Sequence, residues 1–130
     1  MADIDDLKAA FNQVIATFNA HDLNGLMACT HEGIALFGPF SPFASDGKTA
    51  VRELYQMVFA NNESSTATPI NPQFRIAGST GLSWGHLSVA SKPKDGPLRI
   101  GFVRYTSTFA KEGGKWLWAA NHLSYLPSGN

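Results

Sequence analysis

The chain has 130 residues, 44% of them apolar, and its ten basic side chains balance ten acidic ones. A domain of that length buries roughly two thirds of its unfolded surface, and the absence of net charge or of a Lys/Arg cluster interleaved with aromatics argues against nucleic acid and anionic membranes as partners. The acidic start Met1-Ala2-Asp3-Ile4-Asp5-Asp6 does not read as a signal peptide, no apolar run reaches membrane-spanning length, and the single Cys29 forms no internal disulfide, so one cytoplasmic domain over residues 1–130 is expected.

Ile4, Leu7, Phe11, Val14, Ile15 and Phe18 recur at helical spacing and predict a first helix with one buried stripe, Asp3 as its cap and Asp5 and Asp6 at its positive end. Asp22 is placed to cap a short second helix carrying Leu23, Leu26 and Met27, which ends before Glu32-Gly33. Ile34 to Phe37 reads as a strand. From Gly38 to Gly47 the chain mixes prolines, glycines and phenylalanines, the composition of an apolar loop folded over a pocket rim. A third helix sets Val51, Leu54, Tyr55, Val58 and Phe59 opposite Arg52, Glu53 and Gln56. Strands are then predicted at Asn71–Ala77, Leu82–Ser91, Leu98–Ala110 and Trp116–Tyr125, divided by turns at Gly78-Ser79, Pro93 to Pro97 and Gly113-Gly114. Helices first and an antiparallel meander last define an α+β fold.

Four segments carry a family resemblance: Asn19-Ala20-His21-Asp22-Leu23, Asp46 to Arg52 opening the third helix, Ile70-Asn71-Pro72-Gln73-Phe74-Arg75-Ile76-Ala77-Gly78, and the ending Trp116 to Ser124. With the element order they resemble the nuclear transport factor 2-like superfamily, in particular SnoaL-like proteins and the association domain of calcium/calmodulin-dependent protein kinase II. The resemblance implies a cone in which the helices cover the concave face of a bent, mostly antiparallel sheet. It also implies a pocket for a small organic molecule and a homodimer paired through the sheets.

Strand alternation groups Trp84, His86 and Ser88 with Val103, Tyr105, Ser107, Phe109, Ala119, Asn121 and Leu123, and the resemblance turns that set into the cone. The expected pocket is Phe37, Tyr55, Trp84, His86, Ser88, Tyr105, Ser107, Asn121 and Leu123. The other face, with Leu87, Arg104, Thr106, Thr108, Trp118, His122 and Ser124, is the expected dimer interface. His86 is the candidate catalytic base, its alternative being a core histidine bonded to Tyr105 or Asn121. His21 and His31 read as cap or loop contacts, and Asp46 and Glu32 as a helix cap and a loop charge or as acid/base groups at the pocket mouth.

The chemistry of known superfamily members transfers poorly. Ketosteroid isomerases use a tyrosine, a carboxylate base and a neutral carboxylic acid; by the resemblance this chain has Val14, Gly38 and Thr106 or Ser107 in those places. The SnoaL-type cyclases use an acidic base, which the inward set lacks. The arginines of the kinase association domain correspond to Ser88, Ser107 and Leu123. Gly47-Lys48-Thr49 lacks the earlier glycine of a phosphate loop, Pro42 standing there, and no zinc spacing or nucleophile elbow occurs, so neither cofactor nor metal is expected. The expected function is therefore a small-molecule-binding protein with an aromatic pocket for a neutral hydrophobic substrate, acting as an isomerase, cyclase or lyase, or alternatively a non-catalytic homodimerisation module.

Overall fold

Nine elements follow one another in a computed structural model that describes residues 3–39 and 41–127: α1 (Asp3–Asn19), α2 (Leu23–Ala28), β1 (Thr30–Phe37), β2 (Ser45–Asp46), α3 (Lys48–Asn61), β3 (Asn62–Ala77), β4 (Thr80–Pro93), β5 (Arg99–Glu112) and β6 (Lys115–Tyr125). The strands form one open, curved sheet in the order β2-β1-β6-β5-β4-β3, antiparallel except where β1 runs parallel to β6. Leu7, Phe11 and Val14 on α1 and Val51 and Tyr55 on α3 bury against Ile34, Leu36, Val103, Tyr105, Phe109, Trp116 and Trp118 of the sheet. No helix among the described residues is long and apolar enough to cross a membrane.

Local signals account for most of the elements. The Asp22 carboxylate accepts from the Gly25 N–H at 3.0 Å and caps α2, as the sequence predicts. Asp3, by contrast, is already helical, and its carboxylate meets the Lys111 ammonium at 2.6 Å. Gly47, not Asp46, stands before the first turn of α3; Asp46 belongs to β2.

Two strands begin well before their expected limits. β1 begins at Thr30, whose hydroxyl donates to the Leu26 carbonyl at 2.7 Å and joins the helix end to the strand. β3 begins at Asn62 instead of Asn71, because the polar run up to Pro69 is an edge strand that turns only small side chains, Ser65 and Ala67, into the interior. An edge position also tolerates Pro69 and Pro72, whose missing N–H groups leave no ladder partner unmet. A bulge between Ile70 and Gln73, with Asn71 at φ 51°, faces Gly85 at φ 154° on β4. A β-carbon on Gly85 would lie 3.2 Å from the Asn71 carbonyl oxygen and 3.3 Å from the Tyr105 ring, so the close approach requires glycine.

Candidate functional site

Between the helices and the inner face of the sheet lies a cavity of about 630 Å³. Val14, Ile15 and Phe18 of α1 and Leu54, Tyr55 and Val58 of α3 form its roof, and Leu36, Leu87, Val89, Val103, Trp118, Asn121 and Leu123 its floor. The loop from Gly38 runs along it, contributing Gly38, Pro39, Ser41, Phe43 and Ser45, in keeping with its apolar composition. Among the described residues the lining holds no Asp, Glu, His or Lys; its one charge is Arg99, on the exposed start of β5. Tyr55, Ser65, Ser91, Asn61, Asn62 and Asn121 add neutral hydrogen-bonding groups.

The register of the sheet reassigns several residues. Ser83 pairs with Ser107, Gly85 with Tyr105 and Leu87 with Val103, so those β4 residues face inward while Trp84, His86 and Ser88 face outward. The expectation had grouped Trp84, His86 and Ser88 with the inward residues of β5 and β6. The inner positions of β4 are small because Tyr105 lies across them, its hydroxyl 2.8 Å from the Ser83 Oγ and its ring over Gly85. Trp84 instead lies under the Arg75 guanidinium on the outer face, 5.0 Å from ring centroid to cation. His86 is exposed there opposite Arg104, with the sheet between it and the cavity. It is neither a base for a molecule in the cavity nor a core histidine.

A second reassignment comes from β6. Phe109 pairs with Trp118 while Thr108 pairs with Ala120, a bulge that inserts one residue. Strict alternation would point Trp118 and Asn121 to opposite faces; the extra residue turns both inward. Trp118 is buried beside Tyr55, with ring centroids 6.2 Å apart, and Leu87 is buried beside Val103, so neither can belong to an outer interface. Arg104, Thr106 and His122 do stand exposed on the outer face. Phe37 is there too, 44% exposed and 5.5 Å from the His122 ring, because β1 turns Ile34 and Leu36 inward. Tyr55, Asn121 and Leu123 line the cavity, and Tyr105 and Ser107 lie buried beside it. Leu87, Val89, Ser91, Ser65 and Trp118 were missed as lining; the β4–β5 register turns Leu87, Val89 and Ser91 inward, and the β6 bulge does so for Trp118.

The other titratable candidates have structural partners. His31 Nε2 lies 2.6 Å from the Glu112 carboxylate while its Nδ1 accepts from the Gly33 N–H at 2.9 Å, tying β1 to the β5–β6 turn. His21, at φ 55°, stacks on Phe59 at 4.4 Å. Glu32 pairs with Lys48 at 3.4 Å on the surface. The Cys29 thiol donates to the Gly25 carbonyl at 3.3 Å, and burial pushes its pKa up, against the opposing pull of Lys115, so it is no activated nucleophile.

Burial also pushes the Tyr55 hydroxyl far above the ordinary tyrosine value, and Tyr105 upward to a degree limited by its Ser83 hydrogen bond. The folded chain thus favours both neutral phenols. Their contribution to stability is intact below the unfolded value near 10 and is lost as pH rises through it toward the folded values. Urea midpoints are expected to fall above about pH 10, and Tyr55→Phe to flatten part of that fall; an unchanged alkaline limb in the variant would remove Tyr55 from the account.

Helices laid over one face of an open, bent sheet, with an apolar cavity between the layers, define a cone-shaped α+β class. Within that class the chain belongs to the SnoaL-like domain family, whose model matches residues 7–128. The fold is shared with a candidate dehydratase of the nuclear transport factor 2-like family from Streptomyces avermitilis, 19% identical with a TM-score of 0.88 over 97% of this chain and 98% of that one. A ketosteroid isomerase-like protein from Erwinia carotovora atroseptica is also 19% identical, with a TM-score of 0.82 over 96% and 97% of the two chains. A candidate calcium/calmodulin-dependent protein kinase II association domain from Xanthomonas campestris is 17% identical, with a TM-score of 0.83 over 95% and 87%. No curated protein matches the chain.

Proposed function

We propose that this chain binds a neutral, largely apolar small molecule in the cavity under α1 and α3. The observation that carries the reading is the lining itself: a volume of about 630 Å³ walled by aliphatic and aromatic side chains, with scattered hydroxyl and amide groups and one cation at the exposed end. Apolar walls with a few directed polar groups suit a ligand that is mostly hydrocarbon. A buried carboxylate on the ligand would find no cation deep in the cavity, since Arg99 stands on the exposed end of β5. Structural relatives are named for dehydration and for likeness to ketosteroid isomerase. Such chemistry needs a proton-transfer group within reach of the substrate, and the described lining supplies no carboxylate or imidazole. Binding is therefore favoured over an isomerase, cyclase or lyase.

A second copy of the chain is the proposed cover for the outer face. Ile70, Trp84 and Phe102 present apolar surface there among His86, Arg104 and His122, and Ile70 and Phe102 are 40% and 50% exposed. Apolar side chains exposed on a sheet face are better covered than hydrated. This pairing uses other residues than Leu87 and Trp118, which line the cavity.

Native mass spectrometry of gently purified protein tests both statements. A dimer is expected that carries a small organic mass, lost on denaturation. Gly101→Trp is expected to abolish that mass without unfolding the chain, since Gly101 lines the cavity beside Arg99 and a β-carbon there meets open space. Equal retention by both proteins would place the ligand elsewhere and end the cavity reading; a monomer would end the pairing.

A further inference from the structure

The polar groups of the cavity differ in what they have left to offer a ligand. Asn121 is only 8% exposed and lines the floor on β6. Its Oδ1 accepts from the Ser107 hydroxyl at 2.5 Å, Ser107 being the residue directly across on β5. That bond occupies the amide oxygen and sets the plane of the carboxamide. Its Nδ2 makes no hydrogen bond with a described residue, and a carboxamide nitrogen can only donate. The Tyr55 hydroxyl is likewise without a partner among the described residues, and its ring lies beside Trp118, at the bulge that turns Asn121 inward. Burial keeps that phenol protonated and able to donate. Farther along, on edge strand β3, Ser65 is 1% exposed and its Oγ has no partner among the described residues.

A donor that faces the cavity is solvated while the cavity is open, and a ligand that covers it without offering an acceptor leaves it unpaired at a cost. An apolar wall interrupted by a fixed, unpaired N–H group calls for an acceptor on the molecule that fills the cavity. We infer that the ligand presents an uncharged acceptor oxygen of the ketone type to the Asn121 carboxamide, which Ser107 holds in the donating orientation. The inference rests on the proposed binding function. Asn121 is then the residue that sets specificity, and Ser107 positions it.

The test compares three rigid probes of one skeleton by equilibrium dialysis against the full-length protein: fluorene, 9-fluorenone and 9-hydroxyfluorene. Wild type is expected to hold the ketone roughly 5- to 10-fold more tightly than the hydrocarbon, the yield of one neutral hydrogen bond. In Asn121→Leu that ratio should fall to about one. Because the single variant strands the Ser107 hydroxyl, the double variant Ser107→Ala with Asn121→Leu is measured beside it; replacing both partners with apolar groups keeps the core satisfied and should give the same ratio. Equal binding of ketone and hydrocarbon by wild type, or a ratio that survives in both variants, would overturn the inference while leaving the binding function intact. Tighter binding of 9-hydroxyfluorene than of the ketone would mean that an acceptor faces the cavity, and would overturn it as well. Binding of none of the three would count against the cavity as a receptor for neutral aromatic molecules and would take this inference with it.

Discussion

Asn19→Leu is expected to destabilise the chain by about 2–4 kcal/mol, read as a lower urea midpoint. The side chain sits at the end of α1 and pairs with a single residue of β3. Its Nδ2 donates to the Ala67 carbonyl at 3.1 Å and its Oδ1 accepts from the Ala67 N–H at 2.8 Å. β3 is an edge strand, so the amide takes the place of a neighbouring strand for that residue. Ala67 is 6% exposed, and leucine would leave both of its backbone groups buried and unmatched. Each such group costs about 1–3 kcal/mol. A loss below about 1 kcal/mol would mean that the ladder to β4 alone holds β3 in place.

Trp118→Ala is expected to cost about 3–5 kcal/mol, whereas Trp84→Ala should cost about 1 kcal/mol or less. The two tryptophans test which face of the sheet is inside. Trp118 is 3% exposed, packs near Tyr55 and forms part of the cavity floor, so its removal enlarges a void that the neighbours only partly refill. Trp84 lies half-exposed on the outer face, and its specific contact is the Arg75 cation, a surface interaction. Thermal denaturation of the two variants side by side gives the answer. A larger loss from Trp84 would reverse the assignment of faces and return His86 to the interior.

Much of the architecture is legible in the chain. The three-and-four spacing from Leu7 to Phe18 predicts α1, Asp22 predicts the start of α2, and the glycine turns divide β3 to β6 where the structure divides them. These signals are local, because capping and periodicity act within a few residues. The apolar loop after Phe37 runs along the cavity, although Phe43 on it is 78% exposed.

The faces of the late strands were not legible, and the candidate site went with them. Tyr105, Ser107, Asn121 and Leu123 are inward as expected, but Trp84 and His86, which alternation along β4 grouped with them, pair with Thr106 and Arg104 and face outward. β4 keeps Ser83 and Gly85 small because a tyrosine from the next strand needs their space, a constraint that exists only across the β4–β5 ladder. Trp118 and Asn121 share a face because one extra residue enters β6 between them, and alternation has no way to count a bulge before the partner strand is known. Helix, cap and turn were therefore fixed by neighbours along the chain, and the choice of cavity residues by neighbours across the sheet. The latter choice moved the one plausible base, His86, out of the site, since a shift of a single residue in a strand carries every side chain through the sheet.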